Sequence, residues 1–464
     1  MWLSKILRLK SYQKLITHRC YSNQDPLRKT WKVLTNDINL GGGDETFYPE
    51  HADIVIIGGG FIGSAVAYWL KTRTATGLSV VVIEKDFSYK QAQNNVSLGT
   101  LCQHFSLPEN IELSMFSTEF LRNIKEHLND NVDIKYCPTG ALVLASDKYA
   151  SRFEENIKLQ NEFGIRNVIL TPKEIKENYP WLNTEDVKFG SMAIEGEGTF
   201  NSWALLRGLL QKSKELGTTY VEAEVVGFQL QHQRDVLMEG VAAGSYHKLN
   251  RVIYRDKNNE EHAIKFAVCV LAAGDNSGKV AALGNVGTGE GLLKVALPIE
   301  RRDYPIYSIE EKAAEFGLRT PLVTDTTGLW LMRNGLENNL LCGSTPLIKD
   351  DYKNMAESEY YKDIVETSLN NRIPSCKGAQ ISKVSSEMHD CNTFDNTGIL
   401  GPHPYHNNLY IAAGFGKLGC AHAPGLGKAI TELIIDSQFT SIDLTRLGFD
   451  RLLTNEPLVE FNVY

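Results

Sequence analysis

Residues 53–84 constrain this chain more tightly than any other stretch. Asp53-Ile54-Val55-Ile56-Ile57 is a short apolar run, the pattern of a strand buried on both faces. It leads directly into Gly58-Gly59-Gly60-Phe61-Ile62-Gly63, after which Ser64 to Lys71 carries Ala65, Tyr68 and Trp69 at helical spacing. A second strand, Ser79 to Ile83, ends on Glu84, 21 residues beyond Gly63. Strand, glycine turn, helix, strand and terminal acid in that order form a dinucleotide-binding unit. Gly58 permits the tight turn, Gly60 lets the backbone approach a diphosphate, and Gly63 lets the helix pack closely on the strand. Phe61 and Ile62 complete the turn, and the free N–H groups of the helix start face the diphosphate. Glu84, with Lys85 beside it, is placed to accept hydrogen bonds from ribose hydroxyls. An acid there argues against NADP and leaves NAD and FAD open.

A chain of 464 residues is long for one compact unit and suggests two intertwined domains. No run approaches the roughly 20 apolar residues that a spanning helix needs, which excludes an integral membrane helix and leaves peripheral attachment open. The first 22 residues hold Lys5, Arg8, Lys10, Lys14 and Arg19 and no acid, so their removal takes the net charge from −8 to −13. A body that acidic gives no electrostatic reason to expect nucleic-acid binding. The basic opening has the composition of a mitochondrial presequence, with Leu3, Ile6, Leu7 and Leu15 able to share an apolar side. The alternative is a disordered basic tail. A linker is expected over 23–50, including Gly41-Gly42-Gly43. Eight scattered cysteines form no C-x-x-C and have no histidine at zinc-finger spacing, so free thiols are expected and no metal site.

Three later segments decide the cofactor. Phe266 to Ala273 reads as a strand running into Gly274-Asp275, and this resembles the A-x-G turn by which many FAD proteins bring a late strand back beside the dinucleotide, which implies that Ala273 and Gly274 lie there. Asn408 to Ala413 reads as a strand followed by Gly414-Phe415-Gly416-Lys417-Leu418-Gly419, with Ala423-Pro424-Gly425-Leu426-Gly427 opening a helix through Ile435. Such a helix start favours the negative charge that a flavin gains on reduction. Asp395-Asn396-Thr397-Gly398-Ile399-Leu400-Gly401-Pro402 precedes that strand.

Together these segments resemble the D-amino-acid oxidase, glycine oxidase, sarcosine oxidase and dimethylglycine dehydrogenase superfamily, from about Asp53 to Ile442. The resemblance implies an α/β fold: a discontinuous Rossmann-type FAD-binding domain (51–135, 201–290 and 388–464 with the C-terminal tail) and a mainly antiparallel β cap (136–200 and 291–387). It implies that Gly414, Phe415, Gly416 and Gly419 lie beneath the flavin, that Asn94 and Asn95 lie against it, and that Val225, ending a strand from Thr219, pairs with adenine. Ser97 to Asn110 and Asn392 to Asp395 resemble a mitochondrial branch of this family, which implies a matrix location and a role in assembling respiratory complex I, with its subunits or assembly intermediates as partners.

The departures from the family pattern bear on catalysis. Many relatives carry a histidine where Leu418 stands, and an arginine for the substrate carboxylate where Cys102 stands. Lys417 could supply that cation, although a solvated loop lysine is the favoured reading, since lysine is seldom buried alone. Arg301-Arg302 is a second candidate, with a surface ion pair to Glu300 or Asp303 as the plainer reading. His104, beside Gln103, is either a proton acceptor or hydrogen-bonded scaffolding. Cys102 is read as a packing thiol. His389 and Cys391 match no covalent attachment position of the relatives, so dissociable FAD is expected. The functional expectation is a mitochondrial FAD-dependent oxidoreductase supporting complex I assembly. Its alternatives are a matrix amine or amino-acid dehydrogenase and a catalytically silent flavin-binding assembly chaperone.

Overall fold

A computed structural model describes residues 48–89, 99–193, 195–310, 316–325, 327–334, 339–344 and 357–461. The presequence, nearly all of the linker, Asn94 and Asn95 lie outside them.

The first sheet is built from the apolar runs. Strands β1 (His51–Ile57) and β2 (Val80–Glu84) pair in parallel, Ile54 opposite Val80. Two short strands and three strands of the second sheet intervene before β8 (Thr219–His232), β9 (His247–Asp256) and β10 (Glu261–Leu271). The core is parallel, in the order β8-β2-β1-β10, and β17 (Leu409–Ala413) extends it beside β10. An antiparallel β16 (Ile399–Pro402) closes that edge. β8 does not end at Val225 as expected. After Glu222 it leaves β2 and continues to His232, antiparallel to β9, with a bulge between Val225 and Gly227. β9 in turn pairs with the first half of β10, so three strands form a meander on the side of the parallel sheet.

The longest helices are α1 (Phe61–Thr74), α2 (Pro108–Arg122), α3 (Ala150–Glu162), α4 (Ser202–Glu215) and α5 (Leu418–Asp436); α1, α2, α4 and α5 pack together, whereas α3 packs on the second sheet. α5 begins five residues before the expected opening at Ala423, so Pro424 sits inside it. The indole N–H of Trp69 donates to the Pro424 carbonyl at 2.8 Å. Small residues set the helix spacing: a Cβ on Gly427 would lie 2.6 Å from the Ala65 carbonyl carbon of α1, and one on Gly425 2.8 Å from Leu113 of α2. Ile54, Ile56, Val82 and Val270 of the sheet meet Val66, Leu70, Leu426 and Ile430 of these helices in one buried core.

The second sheet has eight strands in the order β15 (Ile381–Asn392), β11 (Ile299–Glu310), β14 (Asn339–Ser344), β13 (Leu329–Arg333), β12 (Leu322–Thr324), β4 (Ala141–Ala145), β6 (Phe189–Ala193) and β5 (Asn167–Leu170). All its pairings are antiparallel except β4 with β12. β15 runs unbroken through the expected boundary at 387/388. A two-stranded ribbon of β3 (Thr100–Leu101) and β7 (Gly198–Thr199) lies apart from both sheets. All seven described cysteines are free thiols.

Candidate cofactor and substrate site

The neighbouring parallel strands β1, β10 and β17 deliver three glycine turns to one edge of the first sheet, outside the carboxyl ends of the strands, where open α/β sheets bind ligands. Gly58 has φ +101° and packs against the second turn, where a Cβ would stand 2.1 Å from the Ala272 carbonyl oxygen. A Cβ on Gly63 would stand 1.9 Å from the Gly58 oxygen, which fixes the helix close to its strand. Gly60 caps α1, and a Cβ there would meet nothing within 4 Å. Open space above a helix start with no side-chain cap is the cradle a diphosphate needs. Phe61 and Ile62 begin the helix and pack partly buried beneath it.

Glu84 ends β2, and its carboxylate accepts the Gly59 N–H at 2.7 Å and the Asp86 N–H at 3.0 Å. Burial pushes its pKa up while these two bonds pull it down. Lys85 points to Glu224 at 2.7 Å in an exposed ion pair, a contact of small energetic weight. Tyr89, unremarked in the sequence, donates to the Gly59 carbonyl at 2.6 Å and sets its ring against Trp203. Val225 lies at the β8 bulge opposite Tyr254, and Ala273 precedes a short turn in which Gly274 has φ +55° with open space at its Cα.

The third turn is held from the second sheet. Asp390 of β15 accepts the Gly414 N–H at 2.7 Å and the Gly416 N–H at 3.0 Å, one on each carboxylate oxygen. Both glycines have positive φ, +80° and +54°. Burial pushes the Asp390 carboxyl up to about 6, against the pull of these two N–H groups. Phe415 is buried over Gly398, and Gly419 lies in the first turn of α5. Asp390 lies between His389 and Cys391, both weighed from the sequence, yet it is the one that fastens the turn.

Lys417 is the correction of most consequence. It does not stand in solvent: its ammonium lies over the Trp330 ring of β13 at 5.0 Å. Burial depresses its pKa, with Glu387 pulling the other way. Among the described residues no carboxylate comes within 4 Å of it, which leaves a half-buried cation without an ion pair. Lys417 lines a cleft together with Thr100, Cys102, Leu322 of the second sheet, Leu418 and His422. Cys102 is buried there, and its thiol is pushed well above the usual value by burial and by Glu197.

His104 stands behind that lining, its Nδ1 4.0 Å from the Cys102 thiol. Its Nδ1 is 2.8 Å from Glu197 and its Nε2 is 3.2 Å from Ser191, both partners buried. Glu197 also accepts the Gln103 and Ala141 N–H groups. Both ring nitrogens are engaged, an arrangement that suits hydrogen-bonded scaffolding. Arg301 pairs with Asp303 at 2.9 Å on the surface. His389 faces Glu387 at 3.2 Å, and Cys391, its thiol pushed up to about 11 mainly by burial, lies 4.0 Å from the Tyr304 hydroxyl.

The chain matches the family model described as FAD dependent oxidoreductase over residues 53–433. It is 39% identical over 420 residues to a Drosophila melanogaster protein called FAD-dependent oxidoreductase domain-containing protein 1 homolog, covering 89% of this chain and 81% of that one. The Mus musculus protein called FAD-dependent oxidoreductase domain-containing protein 1 is 36% identical, with 89% and 88% covered. Among solved structures, L-proline dehydrogenase from P. horikoshii superposes with a TM-score of 0.72 at 24% identity, covering 89% of this chain and all of that one. Glycine oxidase from Geobacillus kaustophilus gives 0.64 at 20% identity, covering 86% and 98%.

Proposed function

The chain belongs to the FAD-dependent oxidoreductase family and has FAD as its cofactor, and from that premise we propose that it oxidises a small amine or amino acid in the mitochondrial matrix and thereby supports assembly of respiratory complex I. The observation that carries the substrate class is Lys417, a half-buried cation without an ion pair on the wall of an otherwise largely apolar cleft. An unpaired buried charge is costly, and a substrate carboxylate would relieve it. Several curated relatives carry mitochondrial names, among them human dimethylglycine dehydrogenase, 23% identical over 88% of this chain and 45% of that protein. This supports the location, alongside the basic opening of the sequence.

The residues fit the cofactor. The Gly58–Gly63 turn and the α1 start would hold the diphosphate, Glu84 the ribose, and the Gly414–Gly416 turn the flavin ring. When bound, FAD supplies a two-electron acceptor beside the cleft. The protein's part is placement. Asp390 fixes the turn, Lys417 orients an anionic donor, and Phe105, Leu322 and Leu418 exclude water around the reacting bond. The assembly role rests on the resemblance of the Ser97–Asn110 and Asn392–Asp395 segments alone.

A second reading is favoured by Cys102 and Leu418, which replace the arginine and histidine of many relatives: a silent chaperone with FAD as a structural ligand. Complementation separates the two. Cells lacking the protein should accumulate partly assembled complex I on native gels. Wild-type chain should restore it, and Lys417→Met should not. Full rescue by Lys417→Met would favour the chaperone, and normal complex I in the deleted cells would remove the assembly role.

A further inference from the structure

His422, on the second turn of α5, is buried to 1% exposure, and its Nδ1 has no hydrogen-bond partner. Its ring meets the edge of Phe105 at 5.7 Å and lines the same cleft as Lys417 and Thr100. A buried imidazole nitrogen left unpaired is a cost that native structures seldom keep without a reason. Its position supplies one. Leu418, Ala421 and His422 follow the Gly414–Gly416 turn directly, so the face of α5 that borders the cleft carries one hydrogen-bonding side chain in its first two turns.

We propose that His422 is a hydrogen-bonding partner of the bound flavin ring, its buried Nδ1 being the atom that no protein group pairs. Burial holds its pKa down to about 3, so the imidazole is neutral throughout the physiological range and offers one N–H and one lone pair. A neutral partner can favour the charge of reduced flavin without bringing a full cation into the cleft. Lys417 carries the cation, and the two roles are separate.

The test combines stability and cofactor measurements on the full protein. His422→Leu removes the orphaned polar atom and keeps most of the volume. Apoprotein of this variant is expected to melt at or above the wild-type temperature, while its FAD dissociation constant rises about 2- to 13-fold, the loss of one neutral hydrogen bond. The midpoint potential of the bound flavin should fall, by about 30 mV for each tenfold in which reduced flavin loses more binding than oxidised flavin. His422→Asn, which keeps a donor and an acceptor, should recover part of both. If the leucine variant binds FAD with wild-type affinity and potential, the proposal is overturned, and the histidine is packing alone. Unchanged FAD affinity and potential with weakened binding of a carboxylate or amine ligand, read as a perturbed flavin spectrum, would overturn it in favour of a substrate contact. Should the leucine variant fail to fold, the same FAD affinity and potential measurements on His422→Asn and His422→Gln decide the matter.

Discussion

Replacing Gly60 with alanine separates cofactor binding from folding. Gly60 has φ −70° and ψ −162°, an extended conformation open to alanine, and the added Cβ meets no protein atom within 4 Å. Alanine is a poorer helix cap than glycine but restricts the unfolded chain, two effects of opposite sign that leave apoprotein stability within about 1 kcal/mol of wild type. With FAD bound, the same methyl stands where the diphosphate must approach the backbone. Overpacking of that kind costs about 1–3 kcal/mol, a rise of about 5- to 150-fold in the dissociation constant. Gly58→Ala is the control. Its Cβ would lie 2.1 Å from the Ala272 oxygen at φ +101°, so the apoprotein itself should lose about 2–5 kcal/mol from backbone strain and overpacking together. Thermal unfolding of both apoproteins, with FAD titrated by quenching of its fluorescence, reads the two effects independently. If Gly60→Ala destabilised the apoprotein as much as Gly58→Ala does, or bound FAD like wild type, the assignment of that open space to the diphosphate would be wrong.

Asp390→Ala leaves the Gly414 and Gly416 N–H groups without their carboxylate, so urea unfolding should show a loss of about 2–4 kcal/mol together with weaker FAD binding, and wild-type values for both would refute its role. Burial lowers His403 to about 3, His406 to about 4 and His422 to about 3, so titration leaves stability unchanged above the unfolded histidine value near 6.5 and each ring destabilises the fold as the pH falls below it. At pH 5 each subtracts about 2 kcal/mol relative to pH 8, while Asp390, raised to about 6, returns about 1 kcal/mol because its protonated form favours the fold. The apoprotein should therefore melt about 5 °C lower at pH 5 than at pH 8, and an unchanged melting temperature would contradict the burial of these rings. Glu460 accepts the Ser106 and Leu107 N–H groups, the Ser106 hydroxyl and the Asn110 amide, tying the C-terminal tail to the start of α2. Glu460→Ala should cost about 1–3 kcal/mol and speed amide exchange at residues 106–110, and unaltered exchange there would show that the strap carries no weight.

The parts of the site that a local pattern can encode were readable from the sequence. The Gly58–Gly63 turn and Glu84 lie within one strand–helix–strand unit, so their spacing alone places them together. The end of β8 was misplaced because its outer half is half-exposed and gains its partner β9 only through the meander. Pro424 and its neighbouring glycines mimic a helix boundary, whereas in α5 they serve close packing against α1 and α2. Asp390 escaped notice because its partners lie 24 and 26 residues later, joined only when β15 reaches the third turn. Nothing in the segment around Lys417 reveals that Trp330, far away in sequence, lies beneath it. His422 carried no local signal beyond its place four residues after Leu418.

The most direct test is the visible spectrum of the purified protein, recorded without oxygen before and after addition of small amines and amino acids. The account predicts an oxidised-flavin spectrum that at least one such donor bleaches, with the chromophore released when the protein is denatured. A flavin spectrum that dithionite bleaches but no amine or amino acid does would contradict the proposed oxidation and leave FAD as a structural ligand.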